Sequence, residues 1–331
     1  MKPFKMAMPK SVAEAVAAAA AGGSFADVRV LAAGTDLVAQ MKERTATPGV
    51  VVNLKTIPGL DRIERVNGNL EIGALVPLTT IAEHAEILRG WATLSTAILR
   101  AATPQVRNLA TIAGNLTQRP RCWYFRDEQF PCLKKGGDKC YAKEGENEYH
   151  TIFDNGVCCA VHASNCAPVL IAYDALLRIA GPDGERDEPV ADFFVSPTLN
   201  VRAENILQPG EIITRVILPK ASEGRSSAYM ETRERQSFDW ATSGATASFR
   251  PNGKQMADAR IVLNAVGPLP LRRKDLENML NGKEVSDDLL RAVGDAAVKG
   301  ATPLRDNAYK VQLVKVCLAR AIRAAMEGQK Q

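Results

Sequence analysis

Six of the seven cysteines of this 331-residue chain lie between Arg119 and Pro168, at Cys122, Cys132, Cys140, Cys158, Cys159 and Cys166, and the seventh is Cys317. Any fold for this chain must bring that stretch to a place where several thiols have a use. A chain of this length buries roughly three quarters of its extended surface and divides into about two domains or more, so its core needs no cross-links. The start, MKPFKMAMPKSVAEAVAAAAAGG, predicts a helix opened by a capping box at Ser11 and Glu14, and so no export address of its own. Without export a disulfide framework is the poorer use of the thiols, and clustered cysteines in a reduced compartment suggest metal.

The spacing runs Cys122-x9-Cys132-x7-Cys140-x17-Cys158, with Cys159 and Cys166 left over. Structural zinc usually takes two ligands from one tight knuckle, and none is present here, so zinc is disfavoured. A [4Fe–4S] cluster is larger than one ion and can be gripped by four thiolates from a long irregular loop. Between Arg119 and Lys143 seven basic residues face three acidic ones, a surplus that offsets the negative charge of such a cluster, and Gly136-Gly137 lets backbone N–H groups approach sulfur. Cys158 and Cys159 are adjacent and in extended backbone point to opposite faces, so one of them is expected to be structural. Cys317 falls on a helical apolar face with Leu313 and Val314 and is expected in the core.

The first 55 residues read as strand, helix, strand, helix, strand, a small α/β layer. Asn67-Gly68 then predicts a hairpin, followed by a helix capped at Thr80 with Glu83 three residues on. A helix near 92–101, the thiol stretch, and strands at LLRIAG and EIITRVILP separated by a PDGE turn complete a second part. Beyond a boundary near residue 222, strands at AYMETRERQ, WATSGATASFR and DARIVLNAVG, with Pro251-Asn252-Gly253 turning between the last two, and two closing helices predict an antiparallel sheet backed by helices. The 42 basic and 37 acidic residues are well mixed, which excludes a nucleic-acid arm, and no apolar run of about 18 residues exists to span a membrane.

Two turns combine small and hydroxyl residues. In VLAAGTDLV, Gly34 and Thr35 close a strand just before a helix, where free N–H groups attract phosphate and Asp36 can cap. In TPQVRNLATIAGNLTQ, Arg107, Thr111, Gly114 and Asn115 come together just before the thiols. Neither is a dinucleotide or P-loop fingerprint. A two-phosphate ligand held between both turns is as far as the residues alone lead.

Taken in order, LAAGTDL, IGALVPLTTIAEH, TPQVRNLATIAGN, LQPGEIITRVILP, RERQSFDWA and AVGPLPLR resemble the FAD-binding medium subunit of the molybdenum hydroxylases, the xanthine dehydrogenase and carbon monoxide dehydrogenase family. The resemblance implies an α+β fold. Residues 1–222 form a FAD-binding domain of vanillyl-alcohol-oxidase (PCMH) type, with subdomains of about 1–55 and 56–222 and the thiol loop at 119–166. Residues 223–331 form a domain like the CO dehydrogenase flavoprotein C-terminus, an antiparallel sheet with helices. The thiol loop resembles the inserted [4Fe–4S] loop of the flavin subunit of bacterial periplasmic aldehyde oxidoreductases, and more loosely that of 4-hydroxybenzoyl-CoA reductases.

Carried over, Leu31, Ala32, Ala33, Gly34, Thr35, Asp36 and Leu37 match the first motif around the FAD pyrophosphate. Thr103, Thr111, Ile112, Ala113, Gly114, Asn115 and Gln118 match the second, with Ala-Gly-Asn where the family usually has Gly-Gly-Asn. Ser164-Asn165 stands for a Ser-Asp pair, Leu207 for a residue near the adenine, and Glu231 where relatives often carry Lys. Cys122, Cys132, Cys140 and Cys158 match the cluster ligands. Histidines 84, 150 and 162 are expected to pack or hydrogen-bond.

The resemblance implies an electron-transfer subunit carrying FAD and a [4Fe–4S] cluster. Its partners are a large molybdenum-cofactor subunit that oxidises the substrate, expected to be an aldehyde, and a small [2Fe–2S] subunit. An external acceptor takes the electrons. The compartment is the cytoplasm, or the periplasm if a signal-bearing partner exports the complex. The alternatives are a 4-hydroxybenzoyl-CoA reductase-like beta subunit, a self-sufficient flavin reductase on the same fold, and a zinc-stapled binding protein without enzymatic activity.

Overall fold

The computed structural model describes residues 1–236 and 238–328; Ser237 of the RERQSFDWA stretch and residues 329–331 lie outside the described residues. The chain opens with β1 (Lys5–Ala7), α1 (Val12–Ala20), β2 (Val28–Leu31), α2 (Leu37–Lys42) and β3 (Val50–Asn53). Alternating strands and helices can close only as a parallel sheet, because each helix returns the chain to the same edge. The order is β1-β3-β2. Ser11 accepts from the Glu14 N–H at 3.2 Å, and Ala15, Val16 and Ala19 of α1 pack onto this sheet.

The second part begins with β4 (Ile63–Val66) and β5 (Asn69–Gly73). Asn67 and Gly68 stand at φ 51° and 87°, the two left-handed residues a tight hairpin turn requires. Helices α3 (Leu78–Glu83), α4 (Ala85–Gly90), α5 (Ala92–Arg100), α6 (Pro104–Arg107) and α7 (Ile112–Leu116) follow. Thr80 is not a cap: α3 starts at Leu78 behind Pro77, whose fixed φ suits a helix entrance. After the thiol stretch, with α8 (Trp123–Arg126) inside it, come α9 (Cys166–Ala172), β6 (Leu176–Gly181), β7 (Gly184–Pro189), α10 (Val190–Phe193) and β8 (Ile212–Leu218). The antiparallel sheet runs β4-β5-β8-β6-β7. The PDGE turn therefore joins β6 to an unforeseen strand, GERDEP, and not to EIITRVILP, which lies on the other side of β6. Five of the six residues of β7 are exposed and the sixth, Glu188, is charged, as an edge strand protected from further pairing should be.

The third part holds β9 (Ser226–Thr232), β10 (Ser243–Asn252), β11 (Gln255–Asn264), β12 (Leu271–Arg272), α11 (Lys274–Leu280), α12 (Asp287–Ala297) and α13 (Lys310–Glu327). Its antiparallel order is β12-β11-β10-β9. Asn252 still pairs with Gln255, so the β10–β11 turn is Gly253-Lys254, one step later than the expected tripeptide, with Gly253 at φ 61°. Helix α13 lays Val314, Cys317, Leu318, Ala321, Ile322 and Ala325 against this sheet at helical spacing, with Cys317 in the core as expected.

Each sheet has its own apolar core. The thiol stretch leaves the second part after α7 and reaches the third, where the N–H groups of Ile152 and Phe153 both donate to the Val266 carbonyl and their side chains enter the third core. It returns at α9 with Cys166 buried in the second core. The loop thus clasps two parts of the molecule together.

Candidate cofactor-binding site

A groove of about 730 Å³ runs between the first and second parts. Leu31, Ala32, Ala33, Gly34, Thr35, Asp36 and Leu37 form one wall, Thr111, Ala113, Gly114 and Gln118 another, and Leu207 closes one side. The parallel sheet places the first turn here: β2 ends at Leu31 and the chain reverses into α2 through Gly34 at φ 77°. Among the described residues, no protein acceptor takes the N–H groups of Ala33, Gly34, Thr35, Asp36 and Leu37. Such a row of unsatisfied donors facing a groove is what an anionic ligand needs.

The second turn differs from the expectation. Its N–H groups are already used: Ile112 donates to the Val76 carbonyl, Ala113 to Ala74, and Gly114 to the Thr111 hydroxyl at 3.2 Å. It offers the groove a wall of small residues with the Thr111 and Gln118 side chains, while the N–H groups of residues 112–114 are taken. Ile112 is fully buried in the second core, and Thr103 caps α6 by accepting from the Val106 N–H at 3.1 Å; neither lines the groove. Asn115 is turned away too, its side-chain oxygen accepting from the Ser164 hydroxyl.

Asp36 does not cap its helix. Its carboxylate accepts from the Arg119 N–H at 3.0 Å and from Gln40 at 2.8 Å, and pairs with Arg121 at 2.9 Å and Arg126 at 2.7 Å. Four donors, two of them guanidinium groups, outcompete one helix N–H. The contacts fasten the first turn to the start of the thiol stretch. Opposite, Glu204 pairs with Arg119 at 2.8 Å and with the buried Lys134 at 2.9 Å. Sequence reasoning missed Arg29, Arg119, Lys134 and Glu204 as groove residues, because Arg119 and Lys134 meet Glu204 across 70 or more positions and no local spacing marks any of the four.

A second cavity of about 390 Å³ lies between the thiol stretch and the third part, walled by Arg121, Trp123, His162, Asn165, Trp240 and Asn264 among others. A small cavity of about 20 Å³ adjoins both: its lining shares Gln118, Lys134 and Glu204 with the groove and Val161, His162 and Ala163 with the second cavity. Ser164 and Asn165 of the sequence reading are in the second cavity, not the groove. The Asn165 amide donates to Tyr229 at 3.0 Å and to Glu231 at 2.8 Å. Glu231 also takes the Tyr229 hydroxyl and pairs with Arg233 at 3.1 Å, and burial raises its pKa. Arg121 lies 4.7 Å from the Trp240 ring centroid, at cation–π distance.

The thiols border both cavities. Cys158 lines the small cavity and Cys122 the second cavity. All seven cysteines are free. Cys122 lies within electrostatic range of Cys158 and Cys140, and Cys158 of Cys140 and Cys132, so the four expected ligands share one neighbourhood. Burial pushes the Cys122 thiol up to about 12. Cys159, expected to turn away, donates to the Asn155 carbonyl at 3.5 Å and lies beside Cys140, a proximity that lowers the Cys140 thiol and raises that of Cys159. His150 Nε2 stands 3.2 Å from the Cys122 sulfur. Among the described residues, no three His, Cys, Asp or Glu side chains converge on a single ion position. Gly137 makes the loop's tight turn possible, since a Cβ there would stand 1.6 Å from the Pro131 carbonyl oxygen.

The family described as the FAD binding domain in molybdopterin dehydrogenase matches residues 2–221, and the CO dehydrogenase flavoprotein C-terminal domain matches residues 227–325. The chain is 35% identical over 301 residues to the aldehyde oxidoreductase FAD-binding subunit of Escherichia coli (strain K12), covering 90% of this chain and 91% of that one. It is 29% identical to the carbon monoxide dehydrogenase medium chain of Hydrogenophaga pseudoflava, covering 97% and 96%. Among solved structures, the Hydrogenophaga pseudoflava carbon monoxide dehydrogenase that lacks the Mo-pyranopterin moiety superposes with a TM-score of 0.78 at 26% identity, over 99% of each chain.

Proposed function

The chain belongs to the FAD-binding medium subunits of the molybdenum hydroxylase family, and from that premise we propose that it is the electron relay of a three-subunit, molybdenum-dependent enzyme that oxidises aldehydes. In this reading a large molybdenum-cofactor subunit oxidises the substrate and a small [2Fe–2S] subunit hands the electrons on. This chain, divided near residue 222, delivers them to an external acceptor. FAD supplies exchange between paired and single electrons, and a [4Fe–4S] cluster on Cys122, Cys132, Cys140 and Cys158 supplies a one-electron step.

The observation that carries the reading is the adjoining pair of cavities. The groove presents the free N–H row of residues 33–37, as a diphosphate requires, and the small cavity beside it adjoins an aromatic cavity large enough for a ring system and bordered by Cys122. Asn165, held by Tyr229 and Glu231, is the polar group positioned to orient that ring. Aldehyde is the proposed substrate class because the relative at 35% identity is an aldehyde oxidoreductase subunit.

The test is purification of the chain alone and with its co-expressed neighbours. FAD released on denaturation, with about four irons and no zinc per chain, is the expected content. Aldehyde oxidation should appear only in the assembled complex. Sustained aldehyde turnover by the FAD-loaded chain alone, with an artificial acceptor, would overturn the relay reading in favour of a self-sufficient flavin enzyme.

A further inference from the structure

We propose that Glu231 is a positioning residue of the second cavity: with Tyr229 it fixes which way the Asn165 and Asn264 amides point, so that the chain selects a flavin whose imide nitrogen carries a proton. This deepens the FAD reading and rests on it. Tyr229 and Glu231 are two residues apart on β9 and so share a face. Across the sheet Glu231 stands opposite Gly244 of β10, and Gly244 opposite Asn264 of β11. A Cβ at Gly244 would lie 2.6 Å from the Asn264 side-chain oxygen, so only glycine leaves room for that amide. Asn165, which precedes α9 in the second part, reaches the same place.

The carboxylate decides the rest. The Glu231 side chain is 1% exposed, and the Tyr229 hydroxyl, the Asn165 amide at 2.8 Å and the Arg233 guanidinium at 3.1 Å all meet it. A carboxylate surrounded by donors only accepts, so the group that Asn165 turns toward it must be its NH2. The one proton of the Tyr229 hydroxyl goes to Glu231. The tyrosine oxygen is then left to accept from both amides, at 3.0 Å from Asn165 and 3.2 Å from Asn264. Both amide nitrogens are engaged there and both amide oxygens are left over. Asn165 and Asn264 line the second cavity, and Tyr229 and Glu231 back them. Burial raises the Glu231 pKa, while Tyr229, Arg233, Arg100 and Asn165 oppose that rise and favour the accepting form.

The leftover groups describe what the cavity takes. The Asn264 oxygen is buried and, among the described residues, has no partner. A buried acceptor at a cavity wall needs its donor from what fills the cavity. Trp123 supplies the opposite sign: its Nε1 donor is also buried without a partner among the described residues, and its ring packs against Tyr149 and His150, which line the same cavity. Acceptors and a donor around one cavity complement a cyclic imide, an N–H flanked by two carbonyls, which is the polar edge of the flavin ring. Amides turned the other way would meet that N–H with NH2 groups and leave it unpaired.

The experiment removes flavin from the purified chain and compares affinities for FAD and for 3-methyl-FAD, whose imide nitrogen carries a methyl group. The proteins are wild type, Glu231→Gln, Glu231→Met and Tyr229→Phe, and urea unfolding reports the stability of each without flavin. Wild type should prefer FAD by about 10- to 100-fold, as for a buried acceptor deprived of its donor. Glu231→Gln keeps an oxygen for Tyr229 and Asn165 and should keep the preference. Glu231→Met accepts nothing, frees the amides to turn, and should lose most of it. A residue that only supports the fold would weaken both ligands alike and leave their ratio as in wild type; that result would overturn the proposal, and so would equal affinity of wild type for both flavins. If Glu231→Met does not fold, Tyr229→Phe decides: it conserves the ring, releases Asn264 and should lower the preference, and an unchanged ratio sinks the proposal. If the wild type takes up no FAD, the function reading fails separately. Lumiflavin against 3-methyllumiflavin then tests the cavity alone: a preference for lumiflavin that Glu231→Met loses supports the proposal, and equal or absent binding sinks it.

Discussion

Gly34 turns β2 into the groove with φ at 77°, where an added Cβ would stand 2.8 Å from Val38 Cγ2 and 3.2 Å from Leu31 Cδ1. Gly34→Ala should therefore cost about 1–2 kcal/mol for the left-handed backbone alone, before any effect on the ligand. Urea midpoints of the flavin-free protein read that cost, and retained flavin after gel filtration reads the displaced N–H row; an unchanged midpoint with full flavin would mean the turn tolerates a side chain. His162 carries a pH prediction. It is 9% exposed, its Nδ1 lacks a partner, and burial lowers its pKa to about 3. The unfolded histidine takes its proton near 6.5 and the folded one resists to about 3, so between those values the unfolded state binds more protons. Stability falls as pH drops through that window and is untouched above it. The contribution is about 2 kcal/mol lost between pH 7 and pH 5, and His162→Gln should flatten that part of the acid limb. Equal acid limbs in both proteins would show that His162 ionises freely.

Among the elements, those with a strong local code were legible. Asn67-Gly68, the Ser11 cap and the 3–4 spacing of α13 each rest on residues within one turn or two, and the structure has all three. Strand β7 was missed because GERDEP lacks an apolar face, which is what an edge position requires and what a periodicity reading discards. Asp36 was misread as a helix cap because its partners, Arg119, Arg121 and Arg126, are more than 80 residues away, and the use of the second turn's N–H groups by residues 74 and 76 has no local signal either. Local spacing shows that an N–H exists and not whether it is free. Lys310, at the start of α13, shows a similar long-range use: it is fully buried and donates to the carbonyls of Tyr149, His150 and Ala265 at 2.9–3.0 Å. Burial pushes its amine down to about 7, while three accepting carbonyls favour the charged form. Lys310→Met keeps the volume but strands those carbonyls, and should destabilise the protein by about 2–4 kcal/mol in urea unfolding. A loss below about 0.5 kcal/mol would mean that water replaces the amine.

At the scale of the whole molecule, the groove belongs to the first and second parts, while the second cavity needs the thiol stretch and the third part. A ligand confined to the groove can order only its own walls, whereas one that passes between Lys134 and His162 must touch all three parts. Hydrogen exchange separates these cases because ADP and FAD share one half and differ in the other. ADP should slow exchange at residues 31–37 and 203–208 and leave 161–165 and 240–242 as they are. FAD should slow all four segments, and at 100 times its dissociation constant should add about 2.7 kcal/mol to global stability by mass action. Protection of 240–242 by ADP would mean that the groove closes the third part indirectly. FAD protection limited to the groove would place the ring away from the thiols and remove the short path that a relay to a cluster requires.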